Sequence, residues 1–367
     1  MARTVNRFRA LAGAVGQAIR RPRLASRPDR PAKILVLHEL LLGDTLMLAP
    51  LLAALRHRYP EAEILVTARP GYAGLFSGRP YGARVLPYSE REPGALARLS
   101  EARNCDIAIL PGETRLAILA RALGAKWVVA YAGGKQGWNS RATDERIAFP
   151  PEPMALADMF ALLAWPAGRM EPLRYAATDW PAPGFAPFDR PVAPYAVLHV
   201  GAGSALRLWE PDKWRQVADA IAARGLGVAW TAGTEEVDLV RRVDPHCRYR
   251  SYAGQLDLAQ LWHLLSGAAL AVTLDTGIAH MAKLTRTPAA ALFGPGSAVL
   301  FGKGAFWKDN TFFELTAPGF PCRDQRHLFK REVGWVRRCN RTLADCPRAR
   351  CMQAISAGQV IAALQVE

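Results

Sequence analysis

The sequence predicts an α/β protein built from two doubly wound domains. Short apolar runs alternate with helical patterns in both halves of the chain, which is typical of parallel sheets covered by helices. A proline-rich stretch separates the halves, and the 367 residues exceed the size at which one hydrophobic core stops growing. Half of the residues are hydrophobic and 22% are charged, a composition typical of a globular protein.

The first 30 residues carry eight arginines and one acid. Their apolar residues follow a helical stripe: Val5, Phe8, Ala12, Val15 and Ile19. Such a segment either lies on anionic lipid as an amphipathic helix or forms a solvated basic arm. No run approaches the ~18 apolar residues of a membrane span, and no signal-peptide pattern is present. We therefore predict a cytoplasmic protein.

The predicted organisation has five parts. They are a basic amphipathic segment (1–30), a first Rossmann-like domain (31–180), a linker (181–194), a second Rossmann-like domain (195–352) and a closing helix (353–367). The expected strands of the first domain are KILVLH, EILVTA, ARVLPY, DIAIL and KWVVAYA. Those of the second are YAVLHV, LGVAWTA, ALAVTLD and PAAALFG. Ligands of such folds bind beside the carboxyl ends of the strands, here in a cleft between the two domains.

The formal net charge of +15 favours phosphate-bearing partners. Nucleic acid is not expected, because the sequence contains no zinc-finger, helix-turn-helix or RNP-type motif. An Asp-x-Asp pair, a Walker loop and a His-Glu-x-x-His motif are also missing, so we expect neither a metal nor a cofactor. The lack of a complete dinucleotide fingerprint disfavours a nicotinamide oxidoreductase.

The loop after the first strand contains Gly43 and Asp44. An aspartate at the carboxyl end of a strand could act as a general base in the cleft. An aspartate directly before a helix is also a favoured N-cap. The residues alone leave both interpretations open.

In the second half, Gly201 and Gly203 follow a strand, with Ser204 and Arg207 just before the next helix. Glycines let a diphosphate approach the backbone, and arginine can neutralise it. The alternative is an ordinary loop with an exposed arginine.

Two further loops of the second half could complete a nucleotide site. Glu235 and Glu236 follow another strand and could bind a ribose or base edge, or simply suit a helix first turn. The segment LDTGIAH ends a strand at Asp275 and begins a helix near Gly277, so the amides of Thr276, Gly277 and Ile278 would form an anion site. His280, one turn on, is either a phosphate donor or a packed core histidine.

Four cysteines lie close together near the end of the chain: Cys322, Cys339, Cys346 and Cys351. Their irregular spacing lacks a Cys-x-x-Cys pair and does not predict a zinc site. Buried reduced thiols or an adventitious disulfide are the alternatives. The many arginines of this tail could contact an anionic acceptor or membrane, or form a solvated face.

These motifs together resemble the ADP-heptose:lipopolysaccharide heptosyltransferases, glycosyltransferase family 9. The resemblance covers residues 33–364 and rests on ILVLHELLLGDTLMLAPLLAALRHRYP, HVGAGSALRLWEPDKW, TAGTEE, DTGIAHMA, ALFGPGS and CMQAI. It implies a GT-B fold and an inverting, metal-independent transfer of heptose from ADP-heptose to a lipopolysaccharide core or lipid A precursor. The enzyme would work at the inner face of the inner membrane, where peripheral contact with anionic lipid is expected.

The resemblance also implies roles for individual residues. Asp44 matches the family's proposed base within Leu42-Gly43-Asp44, which favours a base over an N-cap. Asp275, Thr276, Gly277 and His280 match the donor loop, and Glu235 or Glu236 would lie by the adenosine. Arg207 occupies the position of a phosphate-binding lysine, with Leu208 in place of the arginine that usually follows.

One departure concerns the acceptor side. Where the family has an arginine and small hydroxyl residues before Leu-Gly-Asp, this chain has His38, Glu39, Leu40 and Leu41. This departure leaves open a family-like transferase with another nucleotide sugar or acceptor. A further alternative is a non-catalytic protein that uses its basic surface to bind anionic glycolipid.

Overall fold

The structure is a computed structural model that describes residues 26–133, 141–166, 171–192 and 194–364. These residues form two compact units. The first comprises the chain up to Pro181 together with His327–Trp335. The second comprises Ala182–Arg326 and the chain from Val336 onward.

The first unit is a parallel sheet of six strands in the order β3-β2-β1-β4-β5-β6. Its strands are β1 Lys33–Val36, β2 Glu63–Ala68, β3 Arg84–Pro87, β4 Ile107–Leu110, β5 Trp127–Tyr131 and β6 Glu145–Ile147. The α-helices that lie wholly within its described residues are α1 Leu42–Leu46, α2 Ala49–Arg58, α3 Ala117–Ala122 and α4 Leu156–Leu162, and short 3-10 turns join several elements.

The central strands of this sheet are apolar on both faces, because helices cover both sides. All four residues of β4 are buried, and so are seven of the ten in α2. One continuous core contains Leu35 of β1, Leu65 of β2, Ala108 of β4 and Ala120 of α3.

The second unit has the same topology, with the strand order β12-β11-β10-β7-β8-β9. Its strands are β7 Tyr195–His199, β8 Gly227–Thr231, β9 Arg250–Ser251, β10 Leu270–Leu274, β11 Ala289–Phe293 and β12 Phe312–Thr316. Its α-helices are α5 Pro211–Ala222, α6 Val237–Val243, α7 Leu258–Ser266, α8 Gly277–Thr285, α9 Ala298–Phe301, α10 Arg350–Gln353 and α11 Ala357–Ala363.

The predicted α/β class with two doubly wound parallel sheets is therefore confirmed, and all nine expected strands are present in the described chain. In each sheet the order reverses beside its first strand, between β1 and β4 and between β7 and β10. Loops that leave the carboxyl ends of these neighbouring strands diverge, which opens a crevice where ligands bind.

The hairpin of β13 (His327–Leu328) and β14 (Arg331–Glu332) differs from the expected domain division. It falls within the predicted second domain, but it belongs to the first unit. Arg331 explains its placement, since its guanidinium donates to the carbonyl oxygens of Gly112 (3.3 Å) and Tyr131 (3.4 Å). Trp335 adds a hydrogen bond to the Pro150 carbonyl.

The expected linker is also held by side chains. Trp180, buried in the first unit, donates to the Leu75 carbonyl. Past the boundary, the Asp189 carbonyl accepts hydrogen bonds from Tyr252 (2.8 Å) and Arg250 (3.3 Å) of the second unit. Proline-rich sequence therefore runs along the surface of the second unit here.

The final helix α11 packs in the second unit. Val360 is fully buried in the same core as Trp214 of α5, and the Trp209 indole donates to the carbonyl of Ile355. No helix in the described ranges is long and apolar enough to cross a membrane.

Candidate functional site

Asp44 lies at the carboxyl edge of the first sheet, in the first turn of α1. The N-cap of this helix is Leu41, and Gly43 and Asp44 are its second and third residues. The interpretation of Asp44 as an N-cap is therefore wrong. Both residues are partly exposed beside the point where the strand order reverses.

His38 is a buried residue that fixes the start of this loop. Its backbone amide donates to the Thr67 hydroxyl at 2.7 Å, and that hydroxyl donates back to the His38 carbonyl at 2.8 Å. The Leu40 amide donates to Nδ1 of the ring at 3.2 Å, which places the ring proton on Nε2. Burial, and then the charge of Arg69, lowers the pKa of His38 to about 3.

The His38 ring is thus neutral and 1% exposed, and its Nε2 has no hydrogen-bond partner among the described residues. These contacts give His38 a structural role in the loop. Its predicted contact with an acceptor stays a prediction.

Glu39 lies in a network of charged side chains. Its carboxylate accepts a hydrogen bond from Arg115 at 2.7 Å and another from the Glu90 amide. Arg115 also pairs with the Glu90 carboxylate at 2.6 Å, and Arg69 donates to the Glu39 carbonyl at 3.1 Å. The network lines a small pocket of about 70 Å³. Because Arg115 and the Glu90 amide hold its carboxylate in place, Glu39 is suited to position polar groups.

The sequence interpretation missed three members of this network: Arg69, Glu90 and Arg115. Each follows a strand of the first sheet, namely β2, β3 and β4. The carboxyl ends of parallel strands meet at one edge, so a charged residue soon after each strand was the signal that could have identified them.

Arg331 was also missed, because the arginines of the tail were assigned to an acceptor, a membrane or a solvated face. Its side chain is none of these in the structure. It is 3% exposed, burial lowers its pKa, and it bonds to backbone carbonyls of the first unit.

In the second unit, Gly201 and Glu236 join the loops after β7 and β8. The Glu236 carboxylate accepts hydrogen bonds from the amides of Ala202 (2.7 Å) and Gly233 (3.0 Å). A Cβ on Gly201 would lie 2.0 Å from Glu236 Oε2. Gly201 is therefore required for the close approach of this carboxylate, and Glu236 holds the two loops together.

Gly203, Ser204 and Glu235 are exposed on these loops. A Cβ on Gly203 would meet no atom within 4 Å. The backbone at Gly203 is thus open for a ligand to approach, whereas the backbone at Gly201 is already covered.

Arg207 and Asp275 lie in the loops that follow β7 and β10, the two strands between which the strand order reverses. Arg207 Nη1 donates to the Asp275 carbonyl at 2.7 Å, and Nε lies 3.8 Å from the carboxylate. The Asp275 carboxylate packs against Gly296 in the loop after β11. Only glycine allows this contact, because a Cβ at position 296 would lie 1.9 Å from Oδ2. Burial raises the pKa of Asp275, an effect opposed by the charges of Arg207 and Lys283.

Thr276 is the N-cap of α8, and its hydroxyl accepts a hydrogen bond from the Ile278 amide at 3.3 Å. The expectation that this amide is open to an anion is therefore wrong, because the Thr276 side chain already occupies it. The amide of Gly277, the first helical residue, has no intrahelical partner. Its predicted role is unaffected.

His280 is 4% exposed, and its Nδ1 has no hydrogen-bond partner among the described residues. Burial, followed by the charges of Lys283 and Arg207, lowers its pKa well below 6.5. A neutral ring cannot supply positive charge to a phosphate. His280 is thus a packed histidine whose contact with a ligand would be a single neutral hydrogen bond.

The four tail cysteines are free thiols. Burial raises the pKa of Cys339 and of Cys351, which disfavours the reactive thiolate. Among the residues that the structure describes, no group of three or more His, Cys, Asp or Glu side chains is placed to hold a metal ion.

The amphipathic stripe expected in the first 30 residues falls at positions 5–19, outside the described residues. The described residues begin at position 26, and the side chain of Arg27 holds this part of the chain in place. Arg27 is largely buried, donates to the Leu163 carbonyl at 2.7 Å and pairs with Glu145 at 3.4 Å.

The chain is similar to known glycosyltransferases. The model of glycosyltransferase family 9 (heptosyltransferase) matches residues 95–331. Lipopolysaccharide heptosyltransferase 3 of Escherichia coli is 24% identical over 312 residues, covering 77% of this chain and 89% of its own length.

Two solved structures share the fold. A glycosyl transferase family 9 protein from Veillonella parvula has a TM-score of 0.69 at 16% identity, over 93% of this chain and 98% of its own. The ADP-heptose lipopolysaccharide heptosyltransferase II of E. coli has a TM-score of 0.67 at 18% identity, over 90% and 97%. These matches confirm the GT-B fold and the resemblance drawn from the motifs. The chain belongs to glycosyltransferase family 9, the heptosyltransferase family, and is therefore a glycosyltransferase.

Proposed function

We propose that this glycosyltransferase moves a heptose from ADP-heptose to a lipopolysaccharide core or lipid A precursor, with inversion and without a metal. The observation that supports this most is the position of Asp44 in the first turn of α1, beside the reversal of strand order in the first sheet. The substrate class is inferred from the named relatives, a lipopolysaccharide heptosyltransferase 3 and an ADP-heptose lipopolysaccharide heptosyltransferase II.

In the proposed reaction, the Asp44 carboxylate takes the proton of an acceptor hydroxyl. The acceptor oxygen bonds to the anomeric carbon as the bond from that carbon to the diphosphate oxygen breaks. The electron pair of that bond leaves with ADP, and attack from the opposite face inverts the anomeric centre.

Stabilisation of the leaving diphosphate is assigned to Arg207 and to the amide at the start of α8. Arg207 donates to the Asp275 carbonyl through Nη1, and its Nε lies 3.8 Å from the Asp275 carboxylate. These contacts fix the guanidinium and leave the protons of Nη2 for phosphate oxygens. The backbone at Gly203 and Ser204 is exposed beside it. A fixed cation and a helix amide stabilise growing negative charge without reorganisation.

The acceptor side is assigned to the loop of residues 38–44. Glu39, held by Arg115, would accept a hydrogen bond from a sugar hydroxyl, and Gly43 would let the acceptor approach the start of α1. The proposal assigns the acceptor to the first unit and the donor to the second. It also retains the expected cytoplasmic location at the inner face of the inner membrane, with peripheral contact to anionic lipid.

The substitution Asp44→Asn tests the base. It keeps the size of the side chain but cannot take up a proton, so we expect transfer to fall by roughly 10²–10⁴-fold. The dissociation constant of ADP, measured by titration calorimetry, should stay within twofold. Asp29→Asn, at an exposed acid of the same unit, is the matched control and should retain full activity.

Turnover by Asp44→Asn at the wild-type rate would remove the base assignment. Activity that EDTA abolishes and Mg²⁺ restores would remove the metal-independent mechanism. Thermal stabilisation by a UDP- or GDP-sugar but not by ADP-heptose would change the donor, because a ligand at ~100 times its dissociation constant adds ~2.7 kcal/mol.

A further inference from the structure

A second pocket lies in the first unit, away from Asp44. It has a volume of about 460 Å³, and the lining residues that matter here are Arg56, His57, Arg79, Tyr81, Arg174 and Asp179. α2 begins beside the Asp44 loop, and its ten residues carry the chain ~15 Å towards the other edge of the sheet. Arg56 and His57 are in its last turn, so this pocket is at the amino edge of the strands.

The charges of the pocket favour an anion. Three arginines line it against one acid, Asp179. His57 is paired at 2.7 Å with Glu171, and both side chains are more than half exposed. Arg56 and Arg79 alone outnumber Asp179, so the lining carries a net positive charge, within a chain that is itself strongly basic.

Arg56 is held in a fixed orientation. Its Nε donates to the Tyr81 carbonyl at 2.9 Å, and its Nη1 donates to the carbonyls of Ala62 (3.2 Å) and Pro60. Nη2 takes part in none of these bonds. It lies against Gly82, and a Cβ added to Gly82 would be 2.9 Å from it. The bonds from Nε and Nη1 fix the plane of the guanidinium, so its Nη2 protons are presented with little entropic cost on binding.

The backbone of the pocket wall is strained. Arg79 (φ 51°) and Tyr81 (φ 52°) are both in the left-handed region, which costs of the order of 1 kcal/mol or more for each non-glycine residue. Strain of this kind persists where the surrounding contacts impose it, and it concentrates at ligand sites. Here it accompanies the turn that places Arg79 and Tyr81 on the wall beside Arg56.

We infer that this basic pocket binds a phosphate ester carried on a polyol, as in a soluble sugar phosphate or the headgroup of an anionic lipid. Arginine matches phosphate geometry through paired hydrogen bonds. The volume lies in the range of small-molecule sites and leaves space for a sugar or glycerol beside the phosphate. This inference is independent of the proposed transfer reaction.

The test uses the purified full chain and two probes. Titration calorimetry measures binding of glucose 6-phosphate with glucose as the blank, and sedimentation measures binding to vesicles of phosphatidylglycerol in phosphatidylcholine with pure phosphatidylcholine as the blank. We expect binding to at least one phosphate-bearing probe, and the arm that responds identifies the source. Failure to bind either probe overturns the inference.

Two matched pairs of variants locate the site. Arg79→Gln with Arg174→Gln should weaken binding at least tenfold, whereas Arg103→Gln with Arg348→Gln removes the same charge from exposed positions elsewhere and should leave it within twofold. Gly82→Ala should weaken binding by displacing Arg56. Gly94 has a similar positive φ, but a Cβ there would meet no atom within 4 Å, so Gly94→Ala should leave binding unchanged. Equal losses within either pair would show non-specific attraction or misfolding and overturn the inference.

Discussion

Arg207 donates a 2.7 Å hydrogen bond to the backbone carbonyl of Asp275, joining the loops that leave β7 and β10. These strands are neighbours, and the strand order reverses between them. The bond therefore spans the crevice that the topology opens in the second sheet. It fixes one edge of a guanidinium and leaves its charge at the start of α8.

Arg207→Gln should weaken ADP binding by roughly tenfold or more, because a hydrogen bond to a charged group contributes about 1.5–3 kcal/mol. Arg207→Lys should give an intermediate loss, since lysine keeps the charge but cannot bond to the Asp275 carbonyl and a phosphate in the same fork. Titration calorimetry with ADP measures both.

The control for Arg207 is Arg241→Gln, an exposed arginine of the same unit paired only with Asp238 on its own helix. Its ADP affinity should match the wild type. An Arg207→Gln protein that binds ADP normally would exclude Arg207 from the donor site.

The glycines of the β7 loop should differ in their effects. Gly201→Ala forces Glu236 away and breaks its bonds to two loop amides, so we expect thermal unfolding to shift as for a loss of ~1–3 kcal/mol. Gly203→Ala meets no neighbouring atom and should leave stability nearly unchanged. It should instead weaken ADP binding, because the added methyl group occupies backbone surface assigned to the diphosphate.

A Gly203→Ala protein with unaltered ADP affinity would remove that surface from the proposed site. Equal melting temperatures for Gly201→Ala and the wild type would show that the Glu236 contact does not stabilise the loops.

The strands could be predicted because their apolar runs are local in the sequence. The partners of the loop residues could not, because they depend on which strands are neighbours. Glu39 was identified in the loop after β1, but its partner Arg115 follows β4 and is 76 residues away. His280 was ambiguous for the same reason, since its burial is set by packing rather than by spacing.

Two local details were also beyond the sequence pattern. The motif Asp-Thr-Gly correctly indicated the start of α8, but not that the Thr276 hydroxyl would occupy the Ile278 amide. Arg331 lies among exposed arginines in the sequence, and only the return of the chain to the first unit buries it.

Lys283 should stabilise the folded second unit. It is fully buried on α8, and its ammonium donates to the carbonyls of Gly302 (2.7 Å) and Phe301 (3.2 Å) at the end of α9, over the ring of Trp307. Lys283→Met preserves the length of the side chain but removes these donors. We expect a loss of ~1–3 kcal/mol in the free energy of unfolding.

Thermal and urea unfolding measure this loss, with Lys308→Met at an exposed lysine as the control. A Lys283→Met protein as stable as the control would mean that the cost of burying the charge cancels its hydrogen bonds, and the lysine would then need a role other than stability.

Acid should destabilise the folded protein through its buried histidines. Burial lowers the pKa of His38 to about 3 and of His199 to about 4, and lowers that of His280 well below 6.5. Between these values and ~6.5, the unfolded chain binds protons that the folded chain cannot, so stability falls as the pH falls and is constant above ~7. His38 and His199 should each contribute about 2 kcal/mol between pH 7 and pH 5, and His280 acts in the same direction.

Asp275 acts in the opposite direction, because its raised pKa lets the folded state bind a proton more readily than the unfolded one. One carboxyl group opposes three imidazoles, so the free energy of unfolding should still rise as the pH rises. Urea midpoints at pH 7 and pH 5 measure it. His199→Asn, which keeps a hydrogen-bonding group for the Thr231 hydroxyl at the place of Nδ1, should reduce the difference by about one histidine's share, whereas His246→Asn at an exposed site should not. A midpoint that is equal at both pH values would show that these rings are not held neutral.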